Sequence, residues 1–323
     1  MVATLTSGSG TLGGTTTVAT NGSGVATFSN LIITGQVGSY TLTFTPSGLT
    51  AATSSSFTLT AGMATQIAVK AGNAQVAAPG TAVAIAPSVV VADSSGNPVS
   101  GVSVTFAVAT GGGSATGLVA TTNASGVATV GSWTLGVTPG ANTLTASSIG
   151  LVGSPVTFGA TGITIGTPYG GGIVAYILQP GDPGYVAGQT HGLIAAAADQ
   201  STGIIWALPA YQSFAAGGTG IAYGTGLANT NAIVAQNSAG STYAAGLARA
   251  YNGGGFTDWY LPSQSELSEL YINRVAIGAF ASAAYWSSSE GDGYDAWLQN
   301  FANGSQADYV KSLVNRVRAV RSF

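Results

Sequence analysis

The chain has 323 residues, enough for two or three domains, and only 5% of them are charged. It has no cysteine and a formal net charge of −3, which excludes disulfide and thiol chemistry and removes the basic field a nucleic-acid binder needs. At 46% hydrophobic residues with 49 glycines, it lacks the low hydrophobicity and high charge of a disordered chain, and its short β-branched runs between glycine-rich breaks predict a mainly β protein.

Before Ile163 the charged residues are Lys70 and Asp93, and every other charge lies later in the chain. The first half therefore presents a nearly neutral Ser/Thr surface, and the second half holds the polar chemistry. The start, MVATLTSGSG, has neither the basic n-region nor the apolar h-region of a signal peptide. No apolar run reaches the ~18 residues of a membrane span, so membrane insertion is not expected.

In chain order, the first feature is an internal repeat. NGSGVATF (Asn21 to Phe28) returns as NASGVATV (Asn123 to Val130), and SYTLTFTPSGL (Ser39 to Leu49) returns as ANTLTASSIGL (Ala141 to Leu151). A period of roughly one hundred residues built from short alternating strands predicts immunoglobulin-like β-sandwiches. The second copy, 63–162, reads as complete. Within it, Asp93 to Pro98 predict a polar turn between two Val-rich strands. The string D-x-x-G-N-P-V-x-G-V resembles bacterial Ig-like domains of the invasin and intimin group, which implies a stalk module of a surface protein. The first copy, 1–62, lacks the counterpart of about 40 residues of that sandwich. It is read as a truncated repeat with Met1 an internal start.

From 163 the texture changes to α+β. TPYGGGIVAYIL predicts a strand entered through a glycine turn, and HGLIAAAADQ and GIIWALP predict two more short strands or a strand and turn. NTNAIVAQN and STYAAGLARAY carry helical spacing, with Gly253 to Gly255 ending the second helix. Ser263 with Glu266 three residues on is a capping box, and Leu267, Leu270 and Tyr271 form the buried stripe of the helix it starts.

The words HGLIAA, NT-x-A-I, GG-F-x-D-W-Y-LPS-x-x-EL-x-x-LY, YWSSSE, AW and VRAVR-x-F resemble the C-terminal domain of bacterial collagen-like adhesins from about Gly166 to Phe323. That resemblance implies a C-type-lectin-type fold for 163–323. The same words are similar to the variable proteins of diversity-generating retroelements, in which a C-terminal stretch is rewritten at adenine-bearing codons. Between the fixed words of 285–323, the residues follow neither a strand period nor a helix period. The ligand-binding, variable positions expected on this reading are Gly291, Asp292, Gly293, Tyr294, Asp295, Leu298, Ala302, Ser305, Ala307, Asp308, Tyr309, Val310, Ser312, Leu313 and Val314, with Ser322 a further candidate for rewriting. Tyr294 and Tyr309 offer amphipathic contact area at low entropic cost. Leu298, Val310, Leu313 and Val314 would form an apolar patch if exposed together, and Asp292, Asp295 and Asp308 would supply rim charge.

Other chemistry is weaker. Glu290, Asp292 and Asp295 cluster, but proximity in a loop does not set the carboxyl separation a glycosidase requires, and Glu290 is expected to pair with an arginine of the terminal strand, Arg316 or Arg318. Calcium would suit clustered oxygens, yet Gln179-Pro180 is followed by Gly181 and does not complete a sugar-lectin calcium motif. His191 is expected to be buried and hydrogen-bonded, and Trp259, Trp286 and Trp297 to lie in the core. The expectation is a non-enzymatic, extracellular binding protein on a cell or virion surface, with no cofactor or metal and a protein or glycan ligand as partner. Oligomerisation stays open. The alternatives are a structural stalk or oligomerisation cap of a fibre, or a carbohydrate-active enzyme.

Overall fold

A computed structural model describes residues 1–217 and 220–323. The chain divides into two compact units, one formed by 1–75, 85–134 and 142–160, the other by 76–84, 135–141 and 161–323.

The first unit is mainly antiparallel β. Strands Gln66–Ala71, Ser88–Ala92 and Val127–Thr129 form one sheet, and Val119–Thr121, Ser103–Thr110, Gly140–Ser147 and Val156–Gly162 lie side by side in another. This is an immunoglobulin-like pair of sheets. Alternation decides its faces: Val104 and Phe106 point inward, as do Leu144 and Ala146, all buried, while the intervening threonines face water. Those outward hydroxyls bond across strands, as Thr110 does with Thr143 at 2.7 Å and Ser7 with Thr41 at 2.9 Å. A surface of hydroxyl pairs needs few charges, and this accounts for the composition of the first half.

The two repeat words fold alike. The Asn21 side-chain oxygen accepts from the N–H groups of Ser23 and Val25, and the Asn123 oxygen accepts from those of Ser125 and Val127. After the turn they diverge. Val127–Thr129 pairs with Ser88–Ala92, whereas Val25 remains 54% exposed and unpaired in any strand. A β-strand needs a partner ladder, and 1–62 contains no counterpart of Ser88–Ala92 among the described residues.

The second unit is α+β. Its strands are numbered β1 (Pro168–Tyr169), β2 (Gly172–Ile177), β3 (Gly192–Ala195), β4 (Ser201–Ile205), β5 (Ala284–Glu290), β6 (Asp295–Asn300), β7 (Gln306–Val310), β8 (Val314–Val317) and β9 (Val320–Ser322). One sheet has the order β1-β2-β3-β9 and the other β4-β8-β5-β6-β7. Helices α1 (Gly226–Asn237) and α3 (Gln264–Ile272) pack on them, and α2 (Ala244–Ala250) packs on α1. Trp206, Trp259, Trp286, Ile233 and Val317 share one buried cluster, and Leu267, Leu270, Tyr285 and Phe301 share another. The α2 helix ends at Ala250, ahead of the glycines expected to stop it. The capping box at Ser263 and Glu266 forms with both reciprocal bonds.

Candidate ligand-binding surface

The frame of the surface is set by buried polar residues. In β5 the serines of YWSSSE are fully buried and each hydroxyl is engaged. Ser287 donates to the Trp297 carbonyl, Ser288 accepts from Asn229 of α1, and Ser289 donates to the Gly220 carbonyl. The β5–β6 register slips between Trp286 and Glu290, so these serines form a bulge that turns their hydroxyls into the protein.

Beyond the bulge, Glu290 and Lys311 make a buried ion pair at 2.6 Å. The Lys311 ammonium also donates to the carbonyls of Phe214, at 3.0 Å, and Gly293, at 2.8 Å, and sits 4.9 Å from the Trp206 ring centre. Glu290 in turn accepts from the Ala216 N–H. A buried ion pair persists only when its remaining hydrogen-bonding capacity is met, and here the groups that meet it belong to two surface loops. Loop 213–216 and turn 291–294 are thereby fixed side by side. The turn has its own lock: Asp292 Oδ1 accepts from the N–H groups of Tyr294 and Asp295, and these bonds hold the Asp292 carboxyl below the usual range.

On this frame the expected residues fall into distinguishable places. Successive side chains of a strand alternate faces. The β6–β7 register, Asp295 opposite Val310 and Leu298 opposite Ala307, puts Leu298, Ala307 and Tyr309 on one face of the hairpin and Asp295, Asp308 and Val310 on the other. Tyr309 is 49% exposed and Val310 47%. Tyr294, at 62%, stands on the 291–294 turn with Gly291, Asp292 and Gly293, and a side chain at 291 would meet the Asp308 carboxylate. Ala302 and Ser305 occupy the opposite turn of the hairpin, both exposed, and Ser312 and Leu313 follow Lys311 into β8. Val314 is exposed beside Gly203 of β4. Ser322 lies on β9, in the other sheet, bonded to the Tyr260 hydroxyl, and does not join the group.

Several expectations are corrected. Leu298 is 7% exposed and packs in the core cluster with Trp286, so it is not part of an exposed apolar patch. Glu290 pairs with Lys311, while Arg316 and Arg318 both pair with Asp199. The arginines belong to β8 and its extension, and Asp199 precedes the adjacent β4, which puts its carboxylate nearer. Trp297 is only half-buried, across from Asp308 on the outer face of the hairpin, whereas Trp259 and Trp286 are buried. His191 is hydrogen-bonded to Gln189 and to the Phe323 carbonyl but only half buried.

The structure adds two features. Phe214, 60% exposed, is carried by the loop that Lys311 ties to the Gly293 turn. Nothing in its local sequence, AYQSFAAGG, marks it; the link is made by a lysine almost a hundred residues away. A concavity of about 200 Å³ opens between β5, β6, β7 and β8, with Leu298 as part of its floor and Tyr309 and Leu313 at its sides. Among the described residues, no cluster of three or more His, Cys, Asp or Glu is placed to hold a metal ion.

Residues 195–321 match the family model of the Lcl C-terminal domain. The match is well under half of the chain and contains the whole surface just described. It starts nearly thirty residues after Gly166, where the sequence resemblance to the C-terminal domain of bacterial collagen-like adhesins begins. No curated protein matches the chain in sequence. Solved structures similar to it include the D0-D1 domain of intimin (22% identity, 50% of this chain and 80% of that one, TM-score 0.25). Others are the Yersinia pseudotuberculosis adhesin InvE (18%, 97% and 86%, TM-score 0.29) and the Escherichia coli adhesin FdeC (16%, 63% and 58%, TM-score 0.33). No helix among the described residues is long and apolar enough to cross a membrane.

Proposed function

We propose that this is a non-enzymatic binding protein of the adhesin kind, displayed on a cell or virion surface, whose Lcl-type C-terminal domain grips a protein or glycan ligand. On this reading 1–62 and 63–162 are successive Ig-like stalk repeats and 163–323 is the ligand-binding domain with a C-type-lectin-type fold. The observation that carries it is the pairing of a buried polar frame with exposed, irregular side chains. Glu290, Lys311 and the three serines fix the backbone from inside, while Tyr294, Tyr309, Val310, Leu313 and Phe214 stand 43–62% exposed on the loops and edge strand they hold. Rigid aromatic residues on a fixed frame lose little entropy on binding. Because the frame is held by Glu290, Lys311, Asp292 and the three serines, the exposed positions Tyr294, Tyr309, Val310 and Leu313 can be exchanged without disturbing it, as retroelement diversification requires.

The test is capture of a panel of fluorescently stained cells by the immobilised full chain. Alanine at Tyr294, Phe214 and Leu313 together is expected to abolish capture while shifting stability by no more than about 0.5 kcal/mol per site. Unchanged capture would refute the reading, and loss of folding would make these residues structural. A reverse-transcriptase gene beside the coding sequence, with a near-copy of the final stretch differing at adenines, is the matching genomic expectation for diversification.

A further inference from the structure

The β6–β7 hairpin ends its sheet on an open edge. Among the described residues β7 pairs with β6 and with no other strand. Residues of an antiparallel pair alternate between those that exchange backbone bonds with their partner and those that exchange none. The Lys311 N–H donates to the Tyr294 carbonyl and the Asn300 N–H to the Ser305 carbonyl, both in the register of the hairpin. Ala307 and Tyr309 share the parity of 305 and 311, so their backbone groups face β6. The N–H and carbonyl of Asp308 face outward, as does the N–H of Val310. Asp308, Tyr309 and Val310 are all exposed, so this edge meets solvent. Gln306 has the outward parity too, but its side chain is already held by the Gln264 carbonyl and Gln299 and adds no free group.

Backbone donors and acceptors at strand spacing are matched by a second extended backbone, a pattern no glycan carries. Charge narrows which backbone. Asp295, Trp297, Asp308 and Val310 share the outer face of the hairpin. Residues 295–310 contain no Lys or Arg, and Lys311 is buried against Glu290. Among the described residues, neither Asp295 nor Asp308 enters an ion pair. The complement beside Asp308 is therefore a basic side chain. If long, it leans over Asp308 toward the half-buried Trp297 ring one strand further in, where a cation is attracted to the indole face. The adjacent residues of an added strand point to the other face, beside Tyr309 and Ala307, and there apolar side chains fit. A second copy of this chain fits poorly, because antiparallel self-pairing centred on Asp308 sets two carboxylates directly opposite each other.

We propose that β7 is a docking edge for an extended strand of another protein, in which basic residues alternate with apolar ones and one basic residue lies opposite Asp308. The proposal rests on the reading of this surface as a ligand site and makes its ligand a polypeptide.

Fluorescence anisotropy on the full chain tests it, with a labelled hexapeptide amide of alternating valine and lysine as the probe. The controls are a peptide of alternating valine and glutamate and the lysine peptide N-methylated at its lysines, which cannot donate to the edge. The lysine peptide is expected to bind at least about tenfold tighter than the glutamate peptide, less tightly as salt rises, and N-methylation is expected to abolish binding. Asp308→Asn should weaken it about fivefold. Val310→Pro deletes an outward N–H and leaves the bonds to β6 in place, so it should stay folded and lose the peptide. The N-methylated probe asks the same question without a variant. No binding of the lysine peptide, equal binding of the glutamate or N-methylated peptide, or indifference to Asp308→Asn would each overturn the docking edge. A dimer in sedimentation that Val310→Pro dissolves would assign the edge to a second copy and overturn it as well. The cell-capture experiment separates the two readings. Capture by the parent chain without peptide binding removes the docking edge only, whereas absence of capture removes the binding surface itself.

Discussion

Replacing Lys311 by methionine keeps the length of the side chain and deletes its charge, leaving Glu290 buried opposite an apolar group. Removing one partner of a buried ion pair costs about 3–5 kcal/mol, and chemical denaturation should show a loss of that size. Methionine at 311 combined with Glu290→Gln should recover part of it, since no uncompensated charge then remains. At Asp93 the balance of forces is different. Burial alone would raise its pKa, but the Asn97 side chain and the N–H groups of Gly62, Asn97 and Ser95 all donate to the carboxylate and bring it down to about 2 from 3.8. A carboxyl whose pKa is lower in the folded than in the unfolded chain stabilises the fold above the unfolded value, and that contribution fades as pH falls. Stability measured by denaturant titration should therefore drop between pH 4 and about 2, and Asp93→Asn should flatten that part of the profile.

Elements differ in how far sequence exposes them. Helix α3 is legible because its start is a local signal: Ser263 accepts from the Glu266 N–H, and Glu266 accepts from the Ser263 N–H. Ser263→Ala should cost about 1 kcal/mol in an unfolding experiment, and somewhat more because the hydroxyl also donates to the Ala222 carbonyl. Helix α1 is legible as a helix but not in its packing. Its buried face includes Asn229, Thr230 and Asn237, which bond Gly220, Leu261 and Leu208. A search for an apolar stripe passes over such residues, since their partners are distant loops. The β6–β7 hairpin shows the same limit. Its exposed irregularity is visible in sequence, but the division of its side chains between two faces, and the burial of Leu298, follow from register.

Within the first unit of the molecule, Asn97 is one of several side chains that join the two repeats, beside Gln36, whose Nε2 donates to the Ser95 carbonyl, and Asp93, which accepts from the Gly62 N–H. Asn97 Nδ2 donates to the Gly35 carbonyl and to Asp93, and Asn97 Oδ1 accepts from the Val37 N–H. Asn97→Ala should strip both bonds to the first repeat. Limited proteolysis should then cut between residues 36 and 62 faster than in the parent chain, while cleavage within the second unit stays unchanged. The repeat turns, the alternating strands, the capped helix and the stretch where irregular residues concentrate are readable from the chain alone, because each is written in the spacing of neighbours along it. Which carboxylate meets which cation, that Phe214 joins Tyr294 and that Leu298 turns inward emerge only once the chain is folded. Those facts depend on groups brought together from tens to more than a hundred residues apart, and buried charges and amides select their partners by proximity in space, which no local pattern encodes.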